Sequence, residues 1–183
     1  SGGVRPEPVS EADYPDPAEL RGGYMQTKWV AEQLIRQAHE RGIPCSIYRP
    51  GVITGDSRTG ATNTIDLASR LVKGSYQLGM VPDRNMSINV VPVDYVSRGI
   101  AHLSLWQDAP GQVFHLTNPQ STPLNNLLNW SGTAGHLREV SYKEWRDMLI
   151  QQAAMNIDND LLPLLPLFPS ERPELIDQQV DCK

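Results

Sequence analysis

Tyr24 and Lys28 are the two residues whose types and spacing most directly suggest chemistry. They lie four positions apart in a stretch with helical periodicity, which places both side chains on one face of a helix. An ammonium beside a tyrosine stabilises the phenolate, and such a tyrosine can give a proton to a carbonyl oxygen while hydride reaches the carbon. The same ammonium can hydrogen-bond a nicotinamide ribose. Taken alone, the pair is also compatible with an ordinary exposed helix pair.

The element that carries this pair is predicted to be an amphipathic helix that leads into a strand. Apolar residues recur at the i, i+3, i+4 and i+7 spacing of one helix face, at Ala31, Leu34, Ile35 and Ala38. Gly42 then ends the pattern, and residues 45–49 predict a short strand. A long helix that feeds a short strand in this way is half of a parallel α/β unit.

The predicted strand ends at Pro50 and Gly51. The carboxyl end of a parallel strand is where ligands bind in open α/β sheets, and a Pro-Gly backbone there could approach a nicotinamide ring closely. A plain turn explains the same dipeptide. Further along the chain, periodicity predicts helices over residues 65–72, 94–105, 124–130, 142–154 and 161–168, and strands over residues 88–91 and 113–116.

Composition excludes several classes of protein. The 183 residues correspond to one domain, and 39% of them are hydrophobic. No apolar stretch approaches the roughly 18 residues of a membrane-spanning helix, and no signal peptide opens the chain. A net charge of −5 argues against nucleic acid or an anionic membrane as a partner. Cys45 and Cys182 make neither a disulfide framework nor a metal site. The composition therefore predicts a cytoplasmic α/β protein without a metal.

Three blocks in this order resemble the thioester reductase family. They are Gly-Gly-Tyr-Met-Gln-Thr-Lys-Trp-Val-Ala-Glu, then Tyr-Arg-Pro-Gly-Val-Ile-Thr-Gly-Asp-Ser-Arg-Thr-Gly, then Asn-Val-Val-Pro-Val-Asp-Tyr-Val. Members are extended short-chain dehydrogenase/reductases that form terminal domains of non-ribosomal peptide and polyketide synthetases, and related domains occur in aminoadipate and carboxylic acid reductases. The resemblance is strongest over residues 22–105 and weaker to residue 168, with residues 142–145 similar to the family's lid segment.

The resemblance implies NADPH-dependent reduction of a thioester that a carrier protein holds on its phosphopantetheine arm. Tyr24 would donate the proton, and Lys28 would hold both the tyrosine and the cofactor ribose. The product would be an aldehyde, or an alcohol after a second reduction. Four consecutive residues would line the nicotinamide, namely Pro50, Gly51, Val52 and Ile53. The following loop would contact the substrate through Thr54, Arg58 and Asn63.

The same resemblance divides the chain. Residues 1–21 would form an extended arm, residues 22–60 and 93–118 the C-terminal portion of a Rossmann-type fold, and residues 61–92 and 119–183 a mostly helical substrate-binding lid. Members begin with a strand, a glycine-rich turn and a helix that cradle the pyrophosphate, and no such pattern precedes the tyrosine here. We therefore expect the N-terminal dinucleotide-binding half to be absent and the chain to be inactive alone. It would either pair with that half or form an oligomer through an exposed sheet edge.

Two alternatives remain open. Another extended short-chain reductase or epimerase, acting on a sugar nucleotide or a ketone, would share the Tyr-Lys pair and the Pro-Gly strand end. A non-catalytic module that docks a carrier protein would need neither. Asp94 begins a predicted helix, and its carboxylate is predicted either to cap that helix or to contact substrate.

Overall fold

The computed structural model describes residues 9–20, 22–83, 87–130, 137–168 and 170, and these residues form an α/β fold. The helices are α1 (Gly23–Glu40), α2 (Leu67–Leu78), α3 (Val93–Ser104), α4 (Leu124–Trp130) and α5 (Tyr142–Ala154). The strands are β1 (Ile47–Pro50), β2 (Val52–Thr54), β3 (Met80–Pro82), β4 (Ser87–Ile88), β5 (Val90–Pro92), β6 (Val113–Leu116), β7 (Thr122–Pro123) and β8 (Arg138–Val140). Short 3₁₀ turns cover Pro17–Glu19 and Leu162–Leu167.

The described strands pair two by two. Three pairs are parallel, β1 with β6, β2 with β5 and β3 with β8, and β4 pairs antiparallel with β7. Consecutive strands β1 and β2 change partners at Gly51, whose N–H donates to Leu116 O, whereas the N–H of Val52 donates to Asn89 O. Within the described residues, β1 is bonded to β6 alone.

The ends of two helices follow from local sequence. Asp66 precedes α2 and accepts a hydrogen bond from the N–H of Ser69, while Gly79 ends that helix in the left-handed conformation at φ 70°. Ser141 caps α5 in the same way by accepting from the N–H of Glu144. These caps fix the helices that lie around the main core.

The main hydrophobic core joins α2, α4, α5 and the segment that follows α5. Its most buried side chains are Leu128, Trp145, Leu149 and Leu161, and the ring of Trp145 meets Phe168 edge-on at 4.8 Å. A smaller core of Val91, Val96 and Leu116 lies where α3 covers β5 and β6. The predicted 161–168 helix is a 3₁₀ turn instead, because Pro163 and Pro166 remove backbone donors, and its ends, Leu161 and Phe168, are buried.

Asn159 is a polar residue inside the main core, with 1% of its surface exposed. Its amide nitrogen donates to Gly74 O in α2 and to Gln152 Oε1 in α5, and its side-chain oxygen accepts from the N–H of Leu161. A Cβ at position 74 would lie 2.7 Å from that oxygen, so the close approach requires glycine. One carboxamide thus links three segments.

The structure differs from the sequence prediction at α1. None of its side chains is buried, and two residues of the predicted inward face, Leu34 and Ile35, are 60% and 41% exposed. Cys45, the first residue of the predicted 45–49 strand, is half-buried and precedes β1. None of the described helices is long and apolar enough to span a membrane.

Candidate active site

Helix α1 presents Tyr24 and Lys28 to solvent. Tyr24 is 66% exposed, and the Lys28 ammonium lies 5.6 Å from the centroid of the Tyr24 ring. This geometry is a cation–π contact, one turn apart on the same helix face. Among the described residues, the Tyr24 hydroxyl has no hydrogen-bond partner, so it is accessible to a ligand.

The N-terminal arm holds the middle of α1. The indole N–H of Trp29 donates to Pro15 O at 3.1 Å, and the rings of Trp29 and Tyr14 are 5.6 Å apart. The guanidinium of Arg36 lies 5.0 Å from the centroid of the Tyr14 ring. Burial and the nearby Glu32 carboxylate raise the pKa of Tyr14, so it is a neutral packing residue at physiological pH.

An ion-pair cluster joins α1 to β1. Arg49 donates from Nη2 to Glu32 Oε1 at 2.6 Å and from Nε to Glu32 Oε2 at 3.1 Å, and Arg36 donates from Nη2 to Oε1 at 2.9 Å. Burial acts to raise the pKa of Glu32, but the hydrogen bonds and charges of the two arginines outweigh it and lower that pKa. The Glu32 carboxylate is therefore ionised when it meets the strand.

The Pro-Gly strand end rests on a pair of asparagines. A Cβ at position 51 would lie 2.6 Å from Asn89 Oδ1 and 2.9 Å from Asn89 O, which only glycine avoids. The Asn89 side chain donates to Asn118 O at 2.7 Å and accepts from the N–H of Asn118 at 3.0 Å. Ile53, two residues beyond Gly51, is 37% exposed. Asn89 and Asn118 thus fix the backbone that follows β1, and the Ile53 side chain nearby is exposed to solvent.

The loop after β2 is held by two aspartates. Asp56 Oδ1 accepts from the N–H groups of Arg58 and Thr59, and Asp94 accepts from the N–H and the hydroxyl of Ser57. The backbone hydrogen bond from Thr59 is the main cause that lowers the pKa of Asp56, and the one from Ser57 lowers the pKa of Asp94. The N-cap position of α3 is Pro92, so the expectation that Asp94 caps its own helix is wrong. Its carboxylate instead anchors the loop.

The three residues predicted to contact substrate have different environments. The hydroxyl of Thr54 donates to Val91 O, and the side chain of Asn63 accepts from the N–H of Ile65, so both are engaged locally. Arg58 is exposed at the tip of the loop. Their contacts with substrate remain predictions, as do the roles of Tyr24 and Lys28.

Comparison with known proteins places this arrangement in a family. A family profile described as male sterility protein (NAD_binding_4) matches residues 3–100, more than half of the chain. The chain belongs to this NAD-binding family. It is 40% identical over 164 residues to a linear gramicidin synthase polypeptide of Brevibacillus parabrevis, and 39% identical over 159 residues to the L-2-aminoadipate reductase of Saccharomyces cerevisiae.

A solved member of the reductase-domain group has the same fold. The terminal R domain from the myxalamid PKS-NRPS biosynthetic pathway superimposes with a TM-score of 0.81 at 38% identity, covering 98% of this chain and 46% of that one. The matched regions cover 87% of this chain but 3% of the gramicidin synthase polypeptide, and 85% of this chain but 11% of the yeast reductase. The predicted fold class, an α/β portion of an extended short-chain dehydrogenase/reductase, is confirmed.

The described residues of this family member fit one end of a nicotinamide dinucleotide. They offer an unpartnered tyrosine hydroxyl, an ammonium beside it and an exposed strand end. The sequence contains no Gly-x-Gly-x-x-Gly turn, which is the usual support for a pyrophosphate. Within the described residues, no cluster of three or more His, Cys, Asp or Glu side chains could hold a metal.

Three site residues escaped the sequence prediction, namely Glu32, Arg49 and Asn89. Glu32 continues the four-residue spacing of Tyr24 and Lys28, and Arg49 directly precedes the Pro-Gly pair. Those positions were a usable signal for Glu32 and Arg49, although not for the contact between them. Asn89 begins the third block that resembles the reductase family, but nothing in the sequence indicates that it packs against Gly51.

Proposed function

We propose that this chain forms part of an NADPH-dependent reductase that releases an acyl or peptidyl thioester from a carrier protein as an aldehyde or alcohol. The observation that carries the proposal is the exposed Tyr24 hydroxyl with the Lys28 ammonium against its ring. Membership of an NAD-binding family and close similarity to a terminal R domain support it.

In the proposed reduction, the residues of this chain donate a proton to the substrate and orient the cofactor. NADPH, when bound, supplies the hydride that adds to the thioester carbonyl carbon. Tyr24 gives its proton to the carbonyl oxygen, and Lys28 stabilises the resulting phenolate and orients the ribose. The hemithioacetal then collapses, the C–S bond breaks, and the aldehyde leaves while the thiol stays on the phosphopantetheine arm. A second round would give the alcohol.

The binding residues follow the same proposal. Backbone at Pro50, Gly51, Val52 and Ile53 would line the nicotinamide, and the loop with Arg58 at its tip would face the substrate. Because Thr54 and Asn63 are engaged in local hydrogen bonds, their part would be to shape that loop. The described residues within 22–60 and 93–118 would form the Rossmann portion, and those within 61–92 and 119–183 the lid. A preceding Rossmann half would supply the pyrophosphate site and cover the free edge of β1.

The test is Tyr24→Phe in the complete reductase domain with a carrier-bound thioester as substrate. We expect single-turnover hydride transfer to fall at least 100-fold, in the range of about 10²–10⁴ for a lost general acid, with NADPH affinity nearly unchanged. Tyr95→Phe is the matched control, since Tyr95 is also exposed, at 48%, but lies on α3.

Activity of Tyr24→Phe within threefold of wild type, a barrier change under about 1 kcal/mol, would refute Tyr24 as the donor. Turnover of a sugar nucleotide or ketone with none of the thioester would favour the sister-enzyme alternative. Carrier binding that survives both Tyr24→Phe and Lys28→Ala, without nicotinamide turnover, would favour a docking module.

A further inference from the structure

The attachment of α1 to the sheet is unusual for a helix that carries a proton donor. It buries no side chain, and its apolar residues Met25, Val30 and Leu34 are between 49% and 60% exposed. Apolar packing therefore does not fix its position within the described residues. What holds it there are directional polar contacts and the aromatic contacts of the arm.

The pair of Glu32 and Arg49 is the contact that connects the two functional parts directly. Glu32 lies one helical turn after Lys28 and two turns after Tyr24. Arg49 is the residue immediately before Pro50. We propose that Glu32 and Arg49 are positioning residues, whose bidentate pair sets where the Tyr24 hydroxyl stands relative to the Pro50-Gly51 strand end. This inference rests on the function proposed above.

The geometry of the pair suits that task. The two Arg49–Glu32 hydrogen bonds, at 2.6 and 3.1 Å, join one edge of a planar guanidinium to both oxygens of one carboxylate. Such a fork fixes orientation as well as distance, which a single lysine contact does not. A shift of α1 along β1 would break both bonds together.

The other edge of the guanidinium is held as well. Arg49 Nη1 donates to Asp13 O at 3.3 Å and lies 3.3 Å from His115 Nε2 on β6. The backbone N–H of His115 donates in turn to Glu11 Oε1 at 2.8 Å. Contacts with the arm and with the neighbouring strand therefore help to orient the Arg49 guanidinium toward Glu32.

Partial burial distinguishes this pair from the surface ion pairs of the protein. The Arg49 and Glu32 side chains are 22% and 16% exposed, whereas Lys143 and Asp147 on α5 are 83% and 55% exposed. Exposed pairs contribute little, whereas loss of Glu32 from this covered pair would leave the Arg49 charge without its carboxylate partner. Lys143→Gln is thus a matched control for the loss of an ion pair.

The experiment compares Glu32→Gln, Arg49→Lys and Lys143→Gln with wild type in the complete reductase domain. We measure kcat and the KM values for NADPH and for the carrier-bound thioester, and amide hydrogen exchange by mass spectrometry. For Glu32→Gln and Arg49→Lys we expect kcat to fall at least tenfold with KM for NADPH within threefold. Exchange over residues 24–31 should rise at least tenfold, while α2 and α5 stay as in wild type. Arg49→Lys keeps the charge, so a fall of kcat in this variant would show that the two-bond geometry of the guanidinium is needed.

Two results would overturn the inference. One is kcat or α1 exchange in both variants equal to that of Lys143→Gln. The other is faster exchange across all helices with kcat falling only as the folded fraction falls, which would make the pair merely structural. If the wild-type domain reduces no thioester, the proposed function fails by itself. Exchange over residues 24–31 still decides whether the pair positions α1.

Discussion

At Gly51 the backbone passes so close to Asn89 that a side chain has no room. The φ of Gly51 does not lie in the left-handed region, so backbone conformation does not require glycine there. The close approach of Asn89 does require it. The residue that blocks a Cβ, Asn89, also satisfies both backbone groups of Asn118 and accepts the N–H of Val52. A change at position 51 is therefore transmitted to the strand end where we place the nicotinamide.

We predict that Gly51→Ala destabilises the protein by about 1–3 kcal/mol, because the added methyl group must displace backbone as well as side-chain atoms of Asn89. Urea denaturation followed by circular dichroism measures this change. Gly23→Ala is the control, since a Cβ there meets nothing within 4 Å and alanine favours the helix. Equal stability of Gly51→Ala and wild type would contradict the packing at Asn89.

Sequence reasoning at the residue scale found the groups that are recognisable by local spacing. Tyr24 and Lys28 stand out because four residues make one helical turn, and Gly51 because Pro-Gly marks a strand end. The Glu32–Arg49 contact could not be predicted, because it depends on how α1 crosses β1. The expectation that Asp94 caps its own helix is wrong for the same reason, because its partner, Ser57, is 37 positions away.

Between elements, Asp94 is the connection from α3 to the loop after β2. The N–H and hydroxyl of Ser57 both donate to its carboxylate, at 2.9 and 3.0 Å, and Arg98 pairs with it one turn later in α3. Since the loop has Arg58 at its tip, its position decides where that cation is held. Asp94 thus fixes the loop to α3, while Asp56 fixes the turn within the loop.

We predict that Asp94→Asn lowers Tm at neutral pH and that the difference from wild type disappears in acid. The folded pKa of Asp94 lies below its ordinary 3.8, so its contribution is complete above that pH and is lost as pH falls through the folded pKa. Thermal melts from pH 7 down to pH 2 measure this dependence. Asp147→Asn, in an exposed ion pair, is the control. A Tm difference that stays constant into acid would count against the loop anchor.

The elements that could be predicted are those with a long stretch of regular apolar periodicity or a clear terminating residue. Helices α1, α4 and α5 and strand β6 lie where the sequence placed them, because each has a complete apolar pattern between capping or turn residues. Strands β2, β3 and β8 escaped prediction because each has three residues. Such short strands exist only through partners far along the chain, as Met80 pairs with Arg138.

Across the whole molecule, the two halves of the described structure differ in how they are stabilised. Helices α2, α4 and α5 share a large buried core. Helix α1 is instead held by polar contacts with its apolar residues exposed, and among the described strands β1 pairs with β6 alone. We expect such an asymmetry of a chain that spans 46% of the solved myxalamid R domain.

We predict that the 183-residue chain alone shows no saturable NADPH binding up to about 1 mM by calorimetry, because it has no glycine-rich turn to hold the pyrophosphate. Addition of the preceding Rossmann half as a separate polypeptide should restore binding in the micromolar range. An unrelated protein of similar size and charge serves as the control. Micromolar binding by the chain alone would show that it builds a pyrophosphate site of its own.

The Asn159 carboxamide has a consequence for protein engineering. Because it ties α2, α5 and the turn after α5 together through three hydrogen bonds, an insertion between Asn159 and Leu161 would shift that turn relative to both helices. A library of variants of this chain should therefore keep Asn159 and Gly74 fixed. Diversity is better placed at the exposed position Arg58, with Asp56, Ser57 and Asp94 kept so that the loop stays anchored.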